Sequence, residues 1–440
     1  MEETINYLIN FLAGSSGVDY SSTVGYTANQ DLFPQYKIVI IPSSFFEENT
    51  YGKPNTLPSL PLQEINNIPL LFGSSKVEKI KTTLVIHADI IASAYFLLTR
   101  YEEWIRIDCR DIHGRFPGKE SLPFRAGFIH RPIVDEYGKL LQTWLKESNS
   151  ITTENKNQLS KVYLTHDVDQ VSQYRSLRGF AGGIFRSIAK RSNEFSITLM
   201  SFFGRLENDS LFTFPWIFDE NKKLKHVVNI EVESIFFFKS SIKHLPEDKP
   251  CYNLFSKDIQ SLFKLCTKNN AQIGLHTSFY SGDDPSYIPF EKNKLEKACD
   301  KSIQYNRHHY LRSKEPMDMG ELIDIGITDD FTMGYADIAG FRLGTCKPVK
   351  WINLQTKKVS TLNLHPLTIM DCTLDDKRYM NLNYADALSY SKALIDKTQE
   401  FGGELVLLWH NTSFVENSWH KKLYVNLLDY IKTKTTHEHE

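Results

Sequence analysis

Beyond residue 160, three apolar runs stop abruptly at histidine or aspartate. "KVYLTHDVD" ends on Asp167 and Asp169, "AQIGLHTS" on His276 and "ELVLLWHN" on His410. Short runs rich in β-branched and large apolar residues read as buried strands. Between them lie segments of helical spacing such as "KNKLEKACDKSIQY" and "YADALSYSKALIDKTQEFGG". Strands separated by helices lie mostly parallel in one α/β sheet, and periodicity alone does not separate an open sheet from a closed barrel. In either form the groups that end the strands gather outside the carboxyl edge, where ligands bind.

The leading part reads as a smaller α/β unit. "YKIVIIPSSFF", "IPLLFG" and "TTLVIHADI" supply strands, while "IIASAYFLLTRYEEWI" and "RPIVDEYGKLLQTWLKESN" supply helices. The polar "SITTENKNQLSK" marks a boundary. The predicted domains are therefore 1–155 and 156–434, with an aromatic-bearing insertion near 175–225 and a disordered charged tail at 435–440. Glu102 and Glu103 read as solvated or interdomain ion pairs.

At 440 residues the chain is long enough for two or three domains. Its 51 basic and 53 acidic residues leave a net charge of -2, which gives no case for a nucleic-acid partner. No apolar run reaches the roughly 18 residues of a membrane span. The start, "MEETINYLINFLAG", has glutamates where a signal peptide has basic residues, and it reads as a helix or strand edge. A cytoplasmic location is the expectation. Six cysteines with no C-x-x-C spacing argue against a structural zinc site and a disulfide framework.

Asp167 and Asp169, two residues apart at a strand exit, suit a division of labour. If they splay, one grips a cation while its neighbour acts as a base. A D-x-D pair is also common in turns, and a strand-end histidine often does no more than cap a strand. Asp329 and Asp330 shape a pocket or cap a turn.

"THDVD" resembles the first motif of the polysaccharide deacetylases, the NodB-homology family of metal-dependent carbohydrate esterases. Phe236–Phe238 resembles the family's second core strand, "IGLHTS" its metal motif, "RHHYLR" its arginine motif and "LLWHN" its final Leu-x-His motif. "LLFG", "ASAYFLLTRYEEW", "HGRFPGKESL" and "RPIVDEYGKLL" resemble the leading domain of a branch seen especially in Bacteroidetes. The resemblance implies a NodB-like deformed (β/α) barrel preceded by a smaller α/β domain. It implies Asp167 as general base, Asp169 and His276 as metal ligands, His410 as proton donor to the leaving group and Arg307 as the residue that orients the base. The implied cofactor is a divalent metal, zinc first, with cobalt, nickel, manganese or iron as alternatives.

The family's metal motif is H-x-x-x-H, and here Tyr280 stands at the second histidine. A neutral phenol is a poor zinc ligand beside imidazole or carboxylate. His309, two residues past Arg307, is the first candidate to replace it, ahead of His308, Asp283 and Asp284. Arg342, in the glycine-flanked "DIAGFRLGTCKPVKW", is a candidate for substrate oxygens or for pairing with Asp167; its plainer reading is a rigid surface turn. Trp351, Trp409 and Tyr280 are candidates for a sugar face, with the core as the plainer home of both tryptophans.

These readings imply a metal-dependent hydrolase of non-peptide C–N bonds, acting on an N-acetylated sugar or glycan precursor. One alternative is an enzyme for another small amide, or for O-acetyl groups. Another is a non-catalytic carbohydrate-binding or assembly protein with a degenerate metal site, the reading that Tyr280 favours. The expected partner is an amino-sugar or glycan intermediate.

Overall fold

In the computed structural model, which describes residues 1–14, 17–150, 157–190, 194–243 and 245–435, the chain divides into two units. Unit 1 takes residues 1–158, 333–368 and 396–404, and unit 2 the remainder. Parts of two features expected from sequence, the polar boundary (151–156) and the charged tail (436–440), lie outside the described residues.

Unit 1 begins with the helix Glu2–Ala13, stopped at Gly14, whose φ of 70° suits a residue without a Cβ. Its strands are β1 (Val24–Tyr26), β2 (Ile38–Ile40), β3 (Gln63–Ile65), β4 (Ile68–Leu70), β5 (Gly73–Ile80) and β6 (Thr83–Ala88). The order is β1-β2-β6-β5, parallel except for β5 against β6, and β3 with β4 forms a separate hairpin. All of β2 is buried, as an apolar strand inside a parallel sheet should be. The continuous helix expected over "IIASAYFLLTRYEEWI" is two pieces, Ile90–Leu98 and Tyr101–Ile105. Arg100 adopts a left-handed φ of 54°, and Thr99 Oγ1 donates to the carbonyl of Tyr95. The break accompanies full burial of Tyr101, whose hydroxyl accepts from Gly52 N.

Unit 2 opens with β7 (Lys161–Val168), followed by β8 (Glu231–Lys239), β9 (Gln272–Thr277), β10 (Tyr305–His308) and β11 (Asp329–Asp330). The chain then gives unit 1 an antiparallel pair, β12 (Val349–Asn353) and β13 (Lys358–Leu364), before β14 (Leu367–Met370) and β15 (Glu404–Leu408). The strand order through unit 2 is β11-β10-β9-β8-β7-β15-β14, with β7 to β11 mutually parallel. The sheet curls into a half-barrel, the deformed-barrel form expected, and the smaller α/β domain precedes it in the chain. Phe236, Phe237 and Phe238 on β8 are wholly buried, so both faces of this strand are covered. Phe237 pairs in register with Gly274, where a Cβ would lie 2.5 Å from the ring. Among the described residues no helix is long and apolar enough to cross a membrane.

Candidate metal centre

The parallel register brings the strand ends together. Arg307 on β10 lies opposite His276 on β9, and His276 opposite Lys239 on β8. Asp167 is the penultimate residue of β7, with Asp169 just past the strand's end. The expected splaying of the two carboxylates does not occur. A strand period of two carries both to one side, where Asp167 Oδ2 and Asp169 Oδ1 lie 3.5 and 3.6 Å from His276 Nε2.

Asp169, His276 and His309 form a cluster whose potential ligand atoms all lie within 4.8 Å of one another. His309 Nε2 is 3.5 Å from Asp169 Oδ1. Each ring is fixed through its other nitrogen. His276 Nδ1 is 2.9 Å from the carbonyl of Arg307, which only accepts, so this nitrogen carries the proton. His309 Nδ1 is 3.1 Å from Asp248 Oδ1. Burial would raise the Asp248 carboxyl, but the hydrogen bonds from His309 and Phe279 N outweigh it and hold the group ionised. Both Nε2 atoms therefore face the same carboxylate oxygen, an arrangement in which outer partners orient metal-binding imidazoles.

Electrostatics favours the same use. Burial pushes the His276 imidazole down to about 4 despite Asp167, so it is neutral at pH 7. Burial would raise Asp169, but His309, Lys239 and His410 outweigh it and hold the carboxyl well below its ordinary value. Asp169 Oδ1 and His276 Nε2 are buried with no hydrogen-bond partner among the described residues. Unsatisfied buried acceptors are costly, and a divalent cation satisfies two at once. The donor set, one carboxylate and two imidazoles, suits such an ion.

Around this cluster stand two supported groups. The Arg307 guanidinium, fully buried over the Phe237 ring at 4.5 Å, donates to Asp167 Oδ1 at 3.0 Å and to Thr165 Oγ1 at 2.9 Å. His410 Nε2 lies 3.7 Å from Asp169 Oδ2. Its Nδ1 is 2.8 Å from Asp371 Oδ1, and Asp371 also accepts from His410 N and Ser413 Oγ. Burial opposes a charge on His410, yet the Asp371 carboxylate, with Asp169 and Asp167 behind it, carries the imidazole up to about 10.

Other residues singled out from sequence lie elsewhere. Tyr280 is outside the cluster; its hydroxyl accepts from Lys243 Nζ at 2.6 Å and its ring lies beneath the same ammonium. His308 is fully buried with Nε2 3.4 Å from Asp318, Asp283 pairs with Arg312, and Asp284 accepts from Ser286. Asp330 is buried and caps a turn through Thr332 N. Trp409 is fully buried, its indole N–H donating to the carbonyl of His420. In unit 1, Trp351 is buried on β12. Arg342 binds both carboxylate oxygens of Glu103 and the carbonyl of Gly334, in a buried loop where a surface turn was expected. Glu102, read as part of solvated or interdomain ion pairs, does form ion pairs, with Arg106 and Arg125, but is buried within unit 1 and also accepts from Leu122 N.

Lys239, Asp248 and Asp371 were not anticipated. Asp371 carried a usable signal, because "LTIMD" is another apolar run ending in a carboxylate. Lys239 ends the "FFF" strand, where a lysine passes for a solvated end. Asp248 lies in an irregular loop, and nothing local marks it.

A family of unknown function, DUF7033, matches residues 4–150. No curated protein matches the chain. Among solved structures, similarity extends to a Mycobacterium smegmatis protein carrying a polysaccharide-deacetylase assignment, at 14% identity over 65% of this chain and 87% of that one, with a TM-score of 0.40. A wild-type CE4 family pseudoenzyme from Bacillus anthracis is similar at 14% identity over 66% and 68%, with a TM-score of 0.31. A Bacillus cereus polysaccharide deacetylase is similar at 11% identity over 64% and 93%, with a TM-score of 0.29.

Proposed function

We propose that unit 2 is a metal-dependent hydrolase that removes the acyl group from an N-acylated amino sugar or glycan precursor. The observation that carries this is the convergence of two imidazole nitrogens, His276 Nε2 and His309 Nε2, on Asp169 Oδ1. The motif resemblance from "THDVD" to "LLWHN" supplies the substrate class.

Asp169, His276 and His309 would hold the divalent ion, zinc first. When bound, such an ion polarises a carbonyl and lowers the pKa of water. Asp167 takes the proton of the attacking water through Oδ2, since Arg307 occupies Oδ1. Arg307 orients that carboxylate. His410, held cationic by Asp371, delivers a proton to the departing amine, without which the C–N bond of an amide does not part readily at neutral pH.

A second reading, a binding protein with a degenerate centre, is favoured by Lys239, whose ammonium stands 3.6 Å from Asp169 Oδ1. One experiment separates the two. The purified chain is loaded with zinc, its metal content measured, and acetate release followed on N-acetylated and O-acetylated oligosaccharides. Hydrolysis predicts equimolar metal and acetate from the N-acetyl substrate, with Asp167→Asn keeping metal and losing turnover. Metal without turnover on any acylated substrate favours the binding protein, and absence of both removes the hydrolase reading.

A further inference from the structure

The segment following β7 is built inside out. It carries two helices, Leu177–Lys190 and Glu194–Phe203. On the first, Leu177, Ala181, Phe185 and Ile188 recur at helical spacing and form one exposed stripe. Its large members are 80%, 71% and 73% exposed. On the second, Phe195, Ile197, Met200 and Phe203 are exposed, Phe203 at 74%. The buried side is small and polar: Gly183, Ser187, Thr198 and Ser201. A Cβ on Gly183 would lie 2.4 Å from Thr198 Oγ1, so the helices meet closely through these residues.

A helix on a water-facing surface has the opposite pattern. Small residues between helices with large apolar side chains outside is the habit of helices in contact with lipid. At 14 and 10 residues, neither helix reaches the roughly 20 that a span requires, which leaves a position along the membrane surface.

Charge selects the kind of surface. From Arg175 to Arg205 the sequence has six basic residues and one acidic, Glu194, while the whole chain is at -2. Glu194 is already paired with Arg186 at 3.1 Å, and Arg178 and Arg205 are exposed. The hairpin is also fastened to its own unit: Arg175 binds Asp258 and the carbonyl of Ser201, and Asp209 accepts from Gln173 N and Tyr174 N. Its first helix begins nine residues after β7, the strand that carries Asp167.

We propose that this hairpin docks the protein on an anionic lipid surface, its apolar stripe entering the headgroup boundary and its arginines meeting lipid phosphates. The docking holds whatever bond the metal centre cleaves. The test is sedimentation of the full chain with vesicles of phosphatidylcholine, with or without phosphatidylglycerol. The chain is expected to pellet with the mixed vesicles and not with phosphatidylcholine alone, and to be released by high salt. Replacing Phe185, Ile188 and Phe203 together by serine lowers binding by about tenfold or more while metal content stays unchanged. Arg178→Glu with Arg205→Glu has an effect of similar size. A chain that stays in the supernatant with both vesicles overturns the proposal. So does a dimer in sedimentation velocity that the serine variant dissolves, which would assign the face to a second copy.

Discussion

Lys239 Nζ lies 3.6 Å from Asp169 Oδ1, the oxygen that His276 Nε2 and His309 Nε2 also face. The carbonyls of Asp248 and Pro250, at 3.2 and 3.3 Å, hold the ammonium in place. A fixed positive charge beside a ligand oxygen opposes a divalent ion. Lys239→Met keeps the packing of the stem and removes the charge, and metal affinity is expected to rise about tenfold, roughly 1.4 kcal/mol. Competition with a chromophoric chelator measures it. An unchanged constant would remove Lys239 from the account.

On the proposed ligand set His309, and not Tyr280, holds the ion, so the two positions respond differently. His309→Ala is expected to weaken metal binding about a hundredfold, and Tyr280→Phe to leave it unchanged. Asp248→Asn, which loosens the His309 ring, falls between, at roughly 10–100-fold. Titration calorimetry with zinc orders the three variants, and a large loss in Tyr280→Phe would reassign the third ligand.

The Asp371 carboxylate raises His410 to about 10. A step that needs cationic His410 is complete below that pKa and lost as pH rises through it. Asp371→Asn removes the charge that opposes deprotonation, so the basic limb of the kcat/KM profile moves to lower pH by at least about one unit. A limb that stays in place means that some other group supplies the proton.

Arg307 and Asp167 are both buried and paired at 3.0 Å. Arg307→Met leaves the carboxylate without its partner, at a cost of about 3–5 kcal/mol in urea unfolding. Adding Asp167→Asn to that variant should restore part of the loss, because the orphaned charge is gone.

The strand ends were legible because burial on both faces makes a parallel strand a continuous apolar run, and its stop is abrupt: Asp167, His276 and His410 each stand at such a stop. His309 was reached only as a substitute for a missing histidine. The direction of the carboxylates was misjudged although the period of two determines it. Lys239 and Asp248 escaped because their position depends on which strands are neighbours and on how a loop folds, neither of which leaves a local pattern. The break at Arg100 escaped for a similar reason: nothing in "LLTRYEEW" resembles a helix stop, and burial of Tyr101 accompanies the turn.

Arg307 holds the site in two different ways. Its side chain grips Asp167, and its main-chain carbonyl accepts from His276 Nδ1. The second hold is independent of which residue occupies position 307. Substitution there leaves Asp167 without its guanidinium partner while the carbonyl still orients the His276 ring. A change at 307 can therefore uncouple the Asp167 carboxylate from the imidazole cluster, whereas freeing the His276 ring while Asp167 stays gripped has no equally short route through this position.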